Sequence, residues 1–262
     1  MKRKPGVSLN RRHWLTAAGA TLTSLWLAGC DKLATNSTFT GVLRVAEKWS
    51  YRAQRLVADR NALAAEFTPA DISKDFKANG TLRPQDDEYV ELMASGFADY
   101  KLVVDGLVER PLELTMGQVR ALPSRTQITR HDCVEGWSSI GKWKGARLSA
   151  LLAQAKLKPE AKYIVFHCFD TLEQTLDGSG RYYESIDLVD AMHPQTILAY
   201  EMNDATLPVR HGYPLRLRVE RQLGYKHAKY VMRIEAVSDF SQIGRGQGGF
   251  WPDRGYEWYA GI

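Results

Sequence analysis

Hydrophobic and polar positions alternate over short distances along most of the chain, which predicts strands and helices interspersed in one domain. Apolar or alternating runs predict strands at 101–104, 127–131, 163–169, 197–202, 215–219 and 231–237. In the fifth of these, Arg216 and Arg218 alternate with apolar residues, so we expect a half-buried strand with both arginines on one face. Few strand–helix–strand units are apparent, and the pattern therefore indicates an α+β fold with a mixed sheet.

Helical spacing is clearest in the middle of the chain. Leu148, Leu151, Leu152 and Ala155 recur at this spacing and predict an amphipathic helix that stops before Pro159. We also predict helices over 46–65, after a capping Thr115, and over 187–192. The aromatic tail, 250–259, has no clear period, and we expect core packing there rather than a cover over an active site.

The first 29 residues have the features of an export signal. They contain five basic residues and no acidic residue, and residues 13–29 carry no Asp, Glu, Lys or Arg. The run Asn10-Arg11-Arg12-His13-Trp14-Leu15 resembles a twin-arginine signal, and Leu27-Ala28-Gly29-Cys30 resembles a lipoprotein cleavage box that leaves Cys30 lipidated. We therefore predict a signal at 1–29, a tether at 30–45 and a catalytic domain at 46–262, outside the cytoplasm. An uncleaved signal-anchor helix is the alternative.

The charge of the chain comes from this leader. The formal net charge is +5, and removing the five leader cations leaves zero. A neutral body argues against a nucleic-acid binder. Three cysteines are too few for a disulfide scaffold.

Cys133 is the first candidate for chemistry, because it follows a predicted strand and lies among His131, Asp132 and Glu135. A thiolate is both the nucleophilic and the metal-binding form of cysteine. Local chemistry leaves open a structural cysteine, a Cys133–His131 pair, and a zinc site completed by His167 and Cys168. The spacing suits zinc poorly.

A second candidate is a group of cations near the end of the chain. His211, Arg216, His227 and Lys229 lie in segments rich in Gly and Pro, where loops are expected. Together they could hold an anion such as a phosphate. A solvated surface face is the alternative.

Three ordered motifs give these residues a common context. The segments Cys133-Val134-Glu135-Gly136-Trp137-Ser138, Leu207 to Arg216, and Gly224-Tyr225-Lys226-His227-Ala228-Lys229 resemble the metal and pterin-phosphate segments of the sulfite-oxidase family of molybdenum enzymes. The resemblance extends from about Asn79 to Val237. It is closest to the periplasmic branch that includes the catalytic subunit of protein-methionine-sulfoxide reductase.

The resemblance implies a sulfite-oxidase-type fold and one molybdopterin without a nucleotide, with molybdenum bound by Cys133. Glu135 is then a candidate proton relay, unless it pairs with a nearby arginine. The resemblance implies a cofactor-binding role for these residues: Asn79, Cys168, His211, Arg216, His227, Ala228 and Lys229.

The expected reaction is oxygen-atom transfer on a small sulfoxide- or sulfite-like substrate or on oxidised methionine, in either direction. The chain has no haem or iron–sulfur motif. We therefore expect a periplasmic monomer, anchored at Cys30, that exchanges electrons with a membrane cytochrome b. The alternatives are a cofactor-free lipoprotein that binds an anion and an inert lipoprotein that kept the fold.

Overall fold

The computed structural model describes residues 36–57, 59–176 and 178–262. The predicted signal at 1–29 and residues 30–35 of the predicted tether, Cys30 included, lie outside the described residues. The chain divides into two compact units, Met1–Val57 and Ala58–Ile262.

The described part of the N-terminal unit is one helix, α1 (Ser37–Val57). The helix predicted over 46–65 is confirmed over 46–57, but it begins at Ser37 and ends earlier than predicted, so residues 37–45 of the expected tether are helical. The chain leaves the helix before Asp59, whose carboxylate accepts the Asn61 N–H at 2.9 Å and whose carbonyl accepts the Ala62 N–H at 3.1 Å. Such local bonds compete with helix continuation. No helix in the described ranges is long and apolar enough to cross a membrane.

The described residues of the second unit contain ten strands and four α-helices. The strands are β1 (Lys101–Gly106), β2 (Leu112–Thr115), β3 (Ser124–Asp132), β4 (Ser138–Arg147), β5 (Tyr163–Thr171), β6 (Arg181–Asp187), β7 (Ile197–Met202), β8 (Ala205–Thr206), β9 (Arg216–Arg218) and β10 (Val231–Val237). The helices are α2 (Asp87–Ala94), α3 (Met116–Ala121), α4 (Leu148–Ala155) and α5 (Leu188–Ala191). Single turns of 3₁₀ helix cover Pro69–Asp71, Val209–His211, Gly224–Lys226 and Pro252–Arg254.

The strands form two sheets. One has the order β2-β1-β10-β5-β6, in which β1 and β10 are parallel and the other pairs are antiparallel. The other has the order β3-β4-β7-β8, and β9 also pairs with β7. The first sheet contains both parallel and antiparallel pairs, which confirms the predicted α+β fold with a mixed sheet.

Local sequence signals account for most of these elements. Thr115 caps α3 by accepting the Gln118 N–H, and the apolar stripe of α4 is fully buried in the main core. Strand β4 was not predicted from the sequence. Its buried face consists of Ser139, Gly141, Trp143 and Gly145. Small residues on that face hide the alternation of the strand from a hydrophobicity pattern. A side chain at Gly145 would strike the backbone of Leu198 in β7, which explains the glycine.

The expectation for β9 is wrong in one respect. Arg216 is only 5% exposed and Arg218 is 0% exposed, so these arginines are buried and not on a half-solvated face. Their guanidinium carbons lie 5.2 and 4.5 Å from the ring centre of the buried Trp143. Arg218 also forms an ion pair with the buried Glu220 at 2.5 Å. The alternative of a solvated cationic face is therefore excluded for Arg216.

Candidate active site

The β3–β4 hairpin positions Cys133. Asp132 pairs with Ser138 as the last rung of the hairpin, and residues 133–137 form its loop. The Cys133 N–H donates to the Trp137 carbonyl at 2.9 Å, and the Gly136 N–H donates to the Cys133 carbonyl at 2.9 Å. Gly136 has a φ of +82°, a conformation that glycine adopts without strain. The turn fixes the Cys133 backbone at the mouth of a cleft.

That cleft has an empty volume of about 830 Å³ and is open to solvent. It brings together six of the residues that the sequence singled out: Asn79, Cys133, Glu135, Arg216, His227 and Lys229. These residues come from the loop before α2, the hairpin loop, β9 and the turn before β10. Their convergence makes the cleft the candidate active site.

Asn79 contacts the cysteine directly. Its Nδ2 lies 3.1 Å from the Cys133 Sγ and donates to it. The backbone around Asn79 is held by Lys229, whose Nζ donates to the Asn79 carbonyl at 2.6 Å and to the Thr81 carbonyl. This hydrogen bond fixes the orientation of a sulfur that could bind a soft metal.

Arg216 and Lys229 supply buried positive charge. Burial, reinforced by the charge of Arg218, lowers the pKa of Arg216 to about 9. Burial and the Arg216 charge lower the pKa of Lys229 to about 7. The Arg216 Nε is buried without a hydrogen-bond partner among the described residues. Two positive charges together with a donor that has no partner in the described residues favour binding of an anion at this wall.

Two histidines lie at the same wall, and burial lowers the pKa of both His131 and His227. The His227 Nε2 donates to the Gln222 carbonyl at 3.0 Å, so its Nδ1 is an acceptor in the neutral ring. That Nδ1 is buried without a partner in the described chain. The His131 Nδ1 lies 3.1 Å from the Arg218 guanidinium, which can only donate, so Nε2 carries the proton. A side chain at Gly224 would approach this Nε2 to 2.6 Å.

Asp170 is a wall residue that the sequence analysis missed. It is buried at the end of β5, lines the cleft, and has one carboxylate oxygen without a partner in the described ranges. Burial raises its pKa to about 6, against the opposing charge of Lys229. An acid after an apolar strand, Tyr163 to Phe169, was a signal that could have indicated it.

Glu135 lies at the rim and is about half exposed. It accepts the Trp137 indole N–H at 2.9 Å and lies 3.9 Å from the Lys77 ammonium. The cation beside it is thus a lysine, in place of the arginine that the alternative interpretation invoked. Its position at the mouth is compatible with exchange of protons with solvent.

Three of the expected cofactor residues do not line the cleft. Cys168 is fully buried in the main core, and burial raises the pKa of its thiol. The His211 carbonyl accepts from the Arg216 guanidinium at 3.3 Å, and the Ala228 carbonyl accepts the Leu217 N–H at 2.8 Å. Both carbonyls therefore help to hold β9, which carries Arg216.

The zinc alternative finds no support in the described part of the chain. His167 pairs with Glu235 at 2.8 Å. No group of three or more His, Cys, Asp and Glu side chains that could hold a metal ion occurs among the described residues.

Aromatic side chains from the tail complete one side of the cleft. Phe250 is buried in the main core, which confirms the expected packing role for that residue. Trp251 and Tyr256, however, line the cleft and stack with ring centres 5.1 Å apart. Tyr225 meets Tyr256 edge to face at 5.5 Å. The tail therefore both packs the core and forms an aromatic rim, defined here as Tyr225, Trp251 and Tyr256.

The wall fits a pterin cofactor in its chemistry. Its groups without a hydrogen-bond partner among the described residues are a guanidinium donor on Arg216, an imidazole acceptor on His227 and a carboxylate oxygen on Asp170. A phosphate needs the first, and a ring with amino and N–H groups needs the other two. Cys133 adds a soft ligand for a metal.

Comparison with known proteins agrees with this chemistry. The family model described as oxidoreductase molybdopterin binding domain matches residues 90–243, more than half of the chain. The chain belongs to this family, and it is a molybdopterin-dependent oxidoreductase with Mo-molybdopterin as its cofactor.

Individual relatives refine the picture. The chain is 34% identical over 247 residues to a putative protein-methionine-sulfoxide reductase subunit YedZ1 from Azospira oryzae, covering 94% of this chain and 84% of that protein. It is 34% identical over 150 residues to the protein-methionine-sulfoxide reductase catalytic subunit MsrP of Campylobacter jejuni, covering 54% of this chain and 50% of that one. The chain thus spans half the length of the latter.

A solved structure, the sulfane dehydrogenase SoxCD from Paracoccus pantotrophus, is also similar. Its TM-score is 0.47 at 26% identity, covering 54% of this chain and 39% of that chain.

Proposed function

We propose that this chain is the catalytic subunit of a methionine-sulfoxide reductase, in which Cys133 ligates molybdenum and the cleft admits an oxidised methionine side chain. One observation carries the proposal. Cys133 lies at a cleft whose wall also contains unsatisfied buried groups on Arg216, His227 and Asp170. Two relatives are named for methionine-sulfoxide reduction, which favours a sulfoxide over sulfite.

Each wall residue has a separate task in this proposal. Arg216 and Lys229 neutralise the phosphate of the pterin, and Asp170 and the His227 Nδ1 bind its amino and ring N–H groups. Asn79 positions the Cys133 sulfur through its side-chain hydrogen bond. Buried Ala228, His211 and Cys168 support these groups from behind the wall.

The reaction is R₂S=O + 2e⁻ + 2H⁺ → R₂S + H₂O. When bound, molybdenum supplies the two-electron redox change that oxygen-atom transfer requires. The chain must deliver the protons, and Glu135 is placed for this because it lies at the rim beside Cys133, with solvent on one side. Lys77 and the Trp137 N–H hold its carboxylate in position.

The electrons come from a separate protein. Both relatives are named as subunits, and this chain has no haem or iron–sulfur motif. We propose a membrane cytochrome b as this partner, and a periplasmic location with a lipid anchor at Cys30 for a monomeric catalytic subunit. Family membership favours the enzyme over the cofactor-free anion binder and the inert lipoprotein.

The test combines metal analysis with an assay in both directions. Purified protein is analysed for molybdenum and pterin, and then supplied with reduced viologen dye and methionine sulfoxide, free or in an oxidised protein. We expect about one molybdenum per chain and sulfoxide-dependent dye oxidation. Molybdenum with sulfite oxidation alone would reverse the proposed direction, and absence of molybdenum in a competent host would refute the proposed cofactor site.

A further inference from the structure

Helix α1 has an apolar face that is exposed in the part of the chain that the structure describes. At 100° per residue, Val42, Val45, Trp49 and Leu56 fall on one arc of the helix. Their exposed fractions are 61%, 54%, 66% and 86%. A helix of 21 residues with this stripe is about 30 Å long, and a stripe of this kind normally faces an apolar surface.

We propose that α1 lies flat on an anionic lipid surface, with this stripe in the acyl boundary. The segment carries four basic residues and one acidic residue. By contrast, residues 58–262 contain more acidic than basic residues. The positive charge of the chain after the leader is thus concentrated on α1, where it complements anionic headgroups.

The geometry of two arginines agrees with this placement. Arg52 flanks the apolar arc, and its guanidinium carbon lies 6.0 Å from the ring centre of Trp49. Arg55 lies further round the helix and reaches to 5.5 Å over the Tyr51 ring. Arginine beside tryptophan at the edge of an apolar face is the arrangement that places charge at headgroup level and the apolar ring below it.

Other occupants of the stripe fit less well. A second copy packed as a coiled coil would need apolar residues at heptad positions, but the series 42, 45, 49, 52, 56 places Arg52 in the seam. A membrane-spanning orientation would put several basic residues at the bilayer centre. A flat orientation buries Trp49 and leaves Arg52 at the surface.

The proposal does not depend on the enzymatic one. Two membrane contacts together bind more strongly than one. Helix α1 would add to the attachment if Cys30 is lipidated, and would be the main attachment if it is not.

The test measures how strongly brominated lipid quenches the fluorescence of Trp49. The protein processed by its host is reconstituted with vesicles containing brominated lipid, either phosphatidylcholine alone or with about one-third phosphatidylglycerol. Quenching due to Trp49 is the difference between the wild type and Trp49→Phe. We expect strong Trp49 quenching in the anionic vesicles only, which decreases in high salt.

Two variants make the test specific. Arg52→Gln with Arg55→Gln should lose most of the Trp49 quenching, because each cation contributes about a factor of five to binding. Trp49→Phe with Gln54→Trp moves the indole to the opposite arc and should remain unquenched.

Equal Trp49 quenching in neutral vesicles, or none in either, would overturn the proposal. Concentration-dependent dimers that protect Trp49 would assign the stripe to a second copy. Molybdenum content of each variant reports folding of the rest of the chain.

Discussion

The Asn79 side chain donates to the Cys133 sulfur at 3.1 Å, although 54 residues separate the two in sequence. Lys229 in turn donates to the Asn79 carbonyl at 2.6 Å. The sulfur is therefore positioned by two segments besides its own hairpin, and each can be tested separately.

Removing the Asn79 amide should impair the enzyme while leaving the fold intact. Groups that hold a metal ligand typically change metal affinity or activity 10- to 100-fold when they are lost. We expect Asn79→Ala to lower turnover per molybdenum about tenfold or more, measured by dye oxidation with methionine sulfoxide. Asn203→Ala, in the turn after β7, is the control. Unchanged turnover in Asn79→Ala would show that the contact has no role in catalysis.

The two described cysteines should differ sharply. Cys133→Ser replaces the proposed soft ligand and should abolish turnover, with normal far-UV circular dichroism. Cys168→Ala changes a buried thiol outside the cleft and should retain most of the activity. Activity assays and metal analysis of both variants measure the contrast. Equal loss in both would remove the ligand assignment.

We expect the Arg216 side chain to lower the free energy of unfolding of the cofactor-free protein. Its guanidinium is buried near Arg218 with an unpartnered Nε, and replacing such a charge by an apolar residue is often stabilising. In protein made by a host that lacks molybdopterin, we expect Arg216→Met to raise the unfolding free energy by about 1 kcal/mol. In a competent host the same variant should lose cofactor occupancy. Thermal denaturation and molybdenum analysis measure both effects, and full occupancy would contradict the phosphate role.

Asp170 should make the stability of the cofactor-free protein depend on pH. Its folded pKa of about 6 is above the ordinary value of 3.8, so the native state binds more protons between the two values. Its stabilising contribution is complete below about pH 4 and is lost as the pH rises through about 6. Asp170→Asn removes this titration. The variant should therefore gain stability over the wild type as the pH increases from 4 to 6.5, by on the order of 2 kcal/mol. Urea denaturation measures the free energy of unfolding of both proteins across this range. A difference between them that does not change with pH would mean that the carboxyl does not titrate there.

The sequence predicts the residues of the site better than their surroundings. Cys133, Arg216, His227 and Lys229 could be selected because motifs and unusual side chains mark them locally. Asp170 has only one local signal, an acid after an apolar strand, and its role depends on burial beside Lys229, which only the fold determines. Strand β4 was hidden for a related reason, since three of its four alternating inward positions are Ser139, Gly141 and Gly145. The arginines of β9 show the same limit: alternation indicates a strand, but not that the side carrying its polar residues is buried.

The aromatic rim should determine affinity for the substrate more than the rate of its conversion. Trp251 and Tyr256 stack at 5.1 Å beside the cleft that contains Cys133, and thioether and sulfoxide side chains pack favourably against aromatic rings. We expect Trp251→Ala to raise the KM for methionine sulfoxide about three- to tenfold with a smaller change in kcat, because a contact of about 1 kcal/mol is lost. Trp251→Phe keeps an aromatic face and should lie close to the wild type. Steady-state kinetics with reduced dye distinguish these cases. A fall in kcat at unchanged KM would instead mean that the ring acts by holding the fold of the tail, through its neighbour Phe250.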